Sequence, residues 1–411
     1  MLYGIASLVA VSWAAASSWS LPAAGHRHHR AAGIVATFTE TGSGAPSTEA
    51  AVAGAADSRL VALRDGLRRE YESFFQPLLP ELYNPSVSFA DPLIALEGLE
   101  KYKSNVNMLA GETLLGKLCF TDCGLVMHNV TETAEGGLMT RWTLQFRFKL
   151  LPWRPLAQFT GVSVYTLDGQ QRVLAQQDYW DSINLQPGGG YEAVPKAAAL
   201  ADFARQLAPR SSGAQQASDK ELPYVLLRRG ADYEVRRYPQ HVAAQTKYYQ
   251  RIDAFGTLGA YTNGANEQRA ELTPYVPSLM SVPQDERTAE QVLDDSLDLK
   301  PSKAPKVMSW PMAVPAMREA APPKPNERID GVVGLALIPS RVVAVYGFSD
   351  PTTEPNVRGY HALLCQKLRA DGIVPSEGEP TESFRLAQFD ALNSFGARRS
   401  EVWVDLEEHP W

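Results

Sequence analysis

The chain has 411 residues, of which 45% are hydrophobic, 9% aromatic and 21% charged, enough to build two or three domains with real cores and too apolar for wholesale disorder. Its net charge of −7 leaves no general basic field to attract phosphate backbones, so nucleic acid is not an expected partner.

The segment Met1 to Ala16 is almost wholly apolar, and Ser17 to Gly25 offers small residues for processing. This is the layout of a secretory signal, too short for a transmembrane helix. From His26 the chain turns basic and holds no acidic residue before Glu40, as an organelle transit peptide does. Signal-like followed by transit-like resembles the bipartite leader of algae whose plastids lie inside extra membranes. Residues 1–56 are therefore expected to be a leader to a plastid, with plain secretion as the alternative, and the mature chain is expected to carry no transmembrane segment.

Asp57 and Ser58 are plausible helix caps, followed by Leu60, Leu63, Leu67, Tyr71, Phe74 and Leu78 at three-to-four spacing; this predicts an amphipathic helix ended by Pro77 and Pro80. A short strand around Val87 and Phe89 comes next, then a helix with Leu99, Tyr102, Val106 and Leu109 on one face. Leu138, Thr140, Trp142, Leu144, Phe146, Phe148 and Leu150 alternate with polar residues, the pattern of a half-buried strand. Asp168-Gly169 turns a hairpin between Phe159–Leu167 and Arg172–Ile183. Helices followed by long antiparallel strands predict an α+β domain over 57–185 with a curved sheet wrapped on helices. Residues 186–221, with Pro187-Gly188-Gly189-Gly190, an Ala-rich stretch and the polar run Ser211 to Lys220, read as a linker.

Beyond it, over 222–411, strands are predicted at Tyr233–Tyr238, His241–Tyr249, Glu271–Val282, Val307–Val314, Val332–Phe348, Phe384–Leu392 and Val402–Leu406, and helices at Ile252–Tyr261 and Val357–Leu368. Residues 283–305 form an acidic insertion carrying Asp285, Glu286, Glu290, Asp294, Asp295 and Asp298, read as a solvated loop.

The chain contains no nucleotide-binding loop, nucleophile elbow or His-Glu-x-x-His helix. Cys119, Cys123 and Cys365 are too few for a disulfide framework, and the Cys119-x-x-x-Cys123 pair has no second ligand pair to complete a zinc site. In the first domain, Asp91, His128, Trp142 and Asp178 are candidates for a cavity between sheet and helices, although Asp91 before Pro92 is also a turn former. In the second, His361 and Cys365 are four apart on one helix face and can share a ligand. His241, after Pro239, lies near Arg236, Arg237, Lys247 and Arg251 and close to Phe255, Leu258 and Tyr261. A flat dianionic ligand such as haem needs that mixture: an apolar slot, cations for propionates, and an imidazole for iron.

Tyr233-Glu-Val-Arg-Arg-Tyr-Pro239, Phe255-x-x-Leu-x-x-Tyr-Thr-Asn-Gly-Ala-Asn-Glu267, Glu271-Leu-Thr-Pro-Tyr-Val276, Met308-Ser-Trp-Pro-Met-Ala-Val-Pro315 and Glu401-Val-Trp403 occur in the order of the motifs of the SOUL haem-binding family, and this half of the chain resembles it. The resemblance implies a distorted antiparallel β-barrel flanked by two helices, and binding of haem or another tetrapyrrole without catalysis. It implies a cleft beside the first of those helices, with His241, Lys247, Arg251, Phe255, Leu258 and Tyr261 as ligand-binding residues. Family members that use an axial histidine carry it just before the tyrosine of the opening motif, where this chain has Arg237. Either His241 substitutes as the haem iron ligand or the iron has no histidine. Leu82-Tyr83, Phe89-x-Asp91-Pro92, Gly98-x-x-x-Tyr102 and Arg141-Trp142 resemble an uncharacterised plant and algal domain that often precedes a SOUL module, itself similar to the nuclear transport factor 2-like cone fold.

These resemblances imply a plastid carrier, buffer or sensor of tetrapyrroles, working with tetrapyrrole-metabolism enzymes or plastid lipid-body proteins and not itself an enzyme. The alternatives are an enzyme acting on a lipid or pigment through the first domain, and a structural protein of plastid lipid bodies or an eyespot.

Overall fold

A computed structural model of the chain describes residues 48–208, 220–283, 305–313, 322–376, 383–389 and 399–408. It contains two compact units that divide near residue 209. The leader before residue 48, the body of the acidic insertion and the end of the Phe384–Leu392 strand lie outside the described residues.

The first unit opens with helix α1, Thr48–Glu72. Asp57 and Ser58 therefore lie inside a helix they were expected to cap. Leu63, Leu67 and Tyr71, spaced by one turn, are buried against a six-stranded sheet. Its strands are β1 Tyr83–Ala90, β2 Ala95–Glu97, β3 Phe120–Glu132, β4 Leu138–Phe148, β5 Leu156–Leu167 and β6 Val173–Trp180. They lie in the order β2-β1-β6-β5-β4-β3. Helices α2 Leu99–Leu109 and α3 Leu114–Cys119 connect β2 to β3. The sheet is not wholly antiparallel as expected, because β1 pairs with β6 in parallel. The β3-β4-β5-β6 meander ends with a strand running in the same direction as β1.

Along β4 the expected alternation is present, with Leu138, Trp142, Phe146 and Phe148 buried, but Arg141 and Thr143 on the other face are buried too. That second face is covered by α4 Asp181–Asn184, whose Asp181 carboxylate holds the Arg141 guanidinium at 2.6 Å. Gly161 of β5 stands opposite Trp142; a Cβ there would lie 1.9 Å from the Tyr179 carbonyl oxygen and 3.2 Å from the Trp142 ring, so only glycine lets the strands close up.

Helix α5, Lys196–Leu207, falls in the stretch read as a linker, yet it packs onto this unit. Its Phe203 is fully buried, stacked at 5.9 Å on Phe159 and edge-on at 5.8 Å to Phe148.

In the second unit the strands are β7 Val225–Arg229, β8 Glu234–Tyr238, β9 His241–Tyr248, β10 Ser278–Val282, β11 Lys306–Pro311, β12 Val333–Ile338, β13 Arg341–Phe348, β14 Val374–Pro375, β15 Phe384–Gln388 and β16 Ser400–Glu408. They join antiparallel in the order β12-β9-β11-β10-β15-β16-β13-β8-β7, with β14 added on β16. The expected barrel does not close: β12 and β7 are the two ends of the ladder and do not pair among the described residues. The sheet nevertheless curls, since Tyr238, Leu279, Val343, Val345, Ala387 and Trp403 from its inner face make one apolar cluster. Helices α6 Arg251–Thr262 and α7 Glu354–Ala370 pack on the outer face, where Phe255 meets Trp310 and His361 meets Phe384.

Candidate functional site

The inner face of the second unit is more polar than a closed apolar core. Arg236, fully enclosed, pairs with Glu401 at 3.0 Å and with Glu234 at 2.7 Å. Glu401 also accepts from Trp403 Nε1 at 2.8 Å, and Trp403 stacks on Tyr238 at 4.5 Å. The two cations beside Glu401 hold its carboxyl below the usual carboxylate range despite burial. Beyond Trp403 lies a cavity of about 80 Å³ lined by His241, Gln245, Ser309, Ser281, Arg341 and Arg385 among others.

His241 stands at the start of β9. Its Nδ1 lies 2.9 Å from the Pro239 carbonyl oxygen, and its Nε2 is buried with no hydrogen-bond partner among the described residues. Burial, with Arg341 and Arg385 nearby, lowers its pKa. The cavity it faces is far below the roughly 300–1,000 Å³ of sites for ligands of drug size, so a tetrapyrrole ring does not fit inside.

Strand register then divides the expected binding residues. Gln245 opposes Ser309, and the two side chains hydrogen-bond at 2.8 Å on the inner face. The next pair, Ala244 and Trp310, points outward, where Trp310 lies 5.9 Å from Phe255 of α6. His241 and Lys247 share a face of β9 but are six residues apart, roughly 20 Å along an extended strand. One ring ligated by His241 cannot place its propionates on Lys247 or lie on α6.

Where β9 passes into α6, Arg251 and Phe255 stand on the helix side, while the exposed Lys247 has the inward parity of His241 and Gln245. Tyr249 and Ile252, which the sequence reading did not single out, are exposed there at 56% and 63%. Arg251 donates to Thr352 Oγ1 at 2.9 Å and to its carbonyl oxygen at 2.8 Å. Trp310 Nε1 is buried with no acceptor among the described residues. Leu258 and Tyr261 are on the fully buried side of the helix, with the Tyr261 hydroxyl donating to the Pro323 carbonyl at 2.7 Å; they anchor the helix.

On α7, His361 Nε2 lies 3.4 Å from Cys365 Sγ, and the His361 ring stacks on Phe384 at 4.0 Å. Burial and the cations Arg358 and Arg369 push its pKa down to about 4. The pair is packed in the helix–sheet interface, and no group of three or more metal-ligating side chains occurs among the described residues.

The four polar candidates of the first unit are also divided. Asp91 Oδ1 accepts from the Leu93 and Ile94 amides at 2.7 Å, the work of a turn former. His128 Nε2 contacts Thr143 Oγ1 at 2.7 Å, on the side of β4 away from Trp142. Trp142 and Asp178 do share a cavity, of about 70 Å³, between the sheet and helices α1 and α2.

Residues 219–405 match the family model described as SOUL heme-binding protein, and residues 62–176 match that of an uncharacterized conserved protein family, DUF2358. No curated protein matches the chain. Among solved structures, the C-terminal domain of EcmrR is 12% identical, covers 43% of this chain and 98% of its own length, and gives a TM-score of 0.31. An NTF2-like protein of unknown function from Exiguobacterium is 15% identical over 31% of this chain and 98% of its own, with a TM-score of 0.21. An LEH-like epoxide hydrolase from M. tuberculosis is 12% identical over 30% and 84%, with a TM-score of 0.23.

Proposed function

We propose that the second unit binds haem or a related tetrapyrrole, as a carrier, buffer or sensor without chemistry of its own. The observation that carries this is the match of residues 219–405 to the SOUL heme-binding family. The residues at the rim between β9 and α6 fit such a ligand. Tyr249, Ile252 and Phe255 offer apolar surface, Arg251 offers charge to a propionate, and Trp310 Nε1 is a buried donor without an acceptor among the described residues. His241, at the far end of β9 with its Nε2 enclosed, is no part of this site.

The bound group supplies light absorption and, when it carries iron, redox chemistry. The protein's residues orient it and shield one face from water. The test is a haemin titration of the full chain, followed by absorbance. Saturable one-to-one binding with a Soret shift supports the reading, and a linear, unsaturated rise overturns it.

The place of action proposed is the plastid, supported by the signal-like and transit-like composition of residues 1–56. Fusion of those residues to a fluorescent protein in an alga tests it: plastid fluorescence supports the reading, and fluorescence in the medium favours secretion.

A further inference from the structure

Two proline turns bring strand ends of the second unit together around its cavity. Pro239 and Gln240 join β8 to β9, and Pro339 and Ser340 join β12 to β13. Register sets Ile338 opposite His241 and Tyr238 opposite Arg341. His241 and Arg341 are thus the first residues of their strands, and strand alternation puts Arg341 on the inner face with Val343. Arg385, two residues before Ala387 of the inner apolar cluster, joins them from β15. His241, Ile338 and Arg341 keep partial exposure and mark the mouth of the cavity, whereas Arg385 and Trp403 are buried.

The groups lining this space ask mostly for an acceptor. A guanidinium offers five N–H donors and no acceptor, so whatever enters between Arg341 and Arg385 must accept. Asp405 Oδ2 pairs with both, with Arg341 at 3.6 Å, and fixes their direction. Ser309 Oγ accepts from Gln245 Nε2 at 2.8 Å and Ser281 Oγ accepts from the Val307 amide at 2.7 Å, so each hydroxyl keeps its own proton to donate. His241 is the exception. The Pro239 carbonyl can only accept, so Nδ1 carries the proton in the neutral ring, and Nε2 is a lone pair, buried with no partner among the described residues. Burial and the two arginines lower the His241 pKa, which carries this tautomer further into acid than in an exposed imidazole. A buried acceptor without a donor costs free energy that a donating ligand recovers.

We propose that this cavity binds a small oxyanion that keeps an acidic proton, hydrogen phosphate or hydrogencarbonate. Its oxygens accept from Arg341, Arg385 and the serine hydroxyls, and its O–H donates to His241 Nε2. The size agrees: a cavity of about 80 Å³, set against roughly 30 Å³ per water in the liquid, holds a group of about four or five heavy atoms. Sulfate has the shape of phosphate but no proton near neutrality, so it serves Nε2 only when the imidazole is itself protonated. The titratable and charged groups around His241 are Tyr238 on β8, Arg341 on β13, Arg385 on β15 and Asp405 on β16. The rim at α6 lies on the opposite face of the sheet, so the anion and the tetrapyrrole occupy separate sites.

The experiment is NMR on the full chain carrying nitrogen-15-labelled histidine, read at the His241 ring nitrogens and the Gln245 and Ser309 amides. Phosphate, hydrogencarbonate and sulfate are titrated at about pH 7.5 and constant ionic strength. Phosphate or hydrogencarbonate is expected to move these resonances saturably and one to one, with Nε2 leaving the position of a free lone pair; the tighter of the two identifies the ligand. Sulfate should bind at least about tenfold more weakly and should tighten as pH falls, when the imidazole takes up the missing proton. In His241→Ala the preference over sulfate should shrink to less than about twofold. Arg341→Met should weaken every anion by about tenfold. Absence of saturable shifts with both protonated anions, sulfate binding equal to theirs at pH 7.5, a preference that survives in His241→Ala, or unchanged affinity in Arg341→Met would each overturn the proposal. The comparison of anions needs no variant, so a variant that fails to fold leaves it decisive. Haem binding is read separately by absorbance and has no part in these outcomes.

Discussion

His241 and Trp310 lie on neighbouring strands of one sheet and face opposite sides of it. Trp310 stands opposite Ala244, three residues along β9 from His241, so the pleat turns one inward and the other outward. Imidazole and helix-side surface, adjacent in sequence, are thereby kept apart in space.

Replacing His241 with alanine should therefore leave the haemin affinity within about twofold and the Soret maximum unmoved, since an enclosed nitrogen cannot reach an external iron. Parallel titrations of both proteins decide it. A displaced Soret band in the variant would show that the strand end opens to admit the ring.

Charge reversal at the rim should act in the opposite way. Arg251→Glu should weaken haemin binding by about tenfold, roughly 1.4 kcal/mol, whereas Lys247→Glu, on the other face of β9, and His361→Ala should not. Equal affinities for all three variants would remove the rim as the site.

Acid should stabilise the first unit. Asp178 and Glu70 both have pKa values raised to about 7 by burial, so the native state holds protons that the unfolded chain has released. Stability from these groups is complete below about pH 4 and is lost as pH rises through 7. The unfolding transition of the first unit should shift to lower temperature between pH 5 and 8 in calorimetry. Asp178→Asn should flatten that slope; the native carboxyl accounts for up to about 3 kcal/mol of it, since only about two of the three pH units of its shift lie above pH 5.

The Arg236–Glu401 pair predicts a large single-site effect. Glu401→Gln leaves an enclosed guanidinium with weakened compensation beside Tyr238 and Trp403, and should cost about 3–5 kcal/mol in urea unfolding. A loss below about 1 kcal/mol would mean that Glu234 alone neutralises Arg236.

Phe203→Ala should destabilise the first unit by about 3–5 kcal/mol, and a fragment of residues 57–185 should unfold at lower denaturant than one of residues 48–208. Equal midpoints would show that α5 is only a tether.

Sequence alone determined what depends on short-range periodicity and on motifs. The turn-by-turn spacing of Leu63, Leu67 and Tyr71 and the alternation along β4 fixed elements and buried faces, because side-chain direction follows directly from local backbone geometry. Ordered motifs such as Tyr233 to Pro239 carry the resemblance of the second half to the SOUL family, whose model residues 219–405 match. Tertiary structure alone decided which of the residues nominated for chemistry meet. His241, Lys247 and Leu258 are close in the chain, yet strand parity, strand length and helix packing send them to a cavity, an exposed strand end and a core. Asp178 and Asp181 look alike in sequence, and only the placement of Arg141 against one of them leaves the other without a counter-ion among the described residues. The barrel, likewise, stays open between β12 and β7, because closure depends on long-range pairing of strand edges that no local pattern specifies.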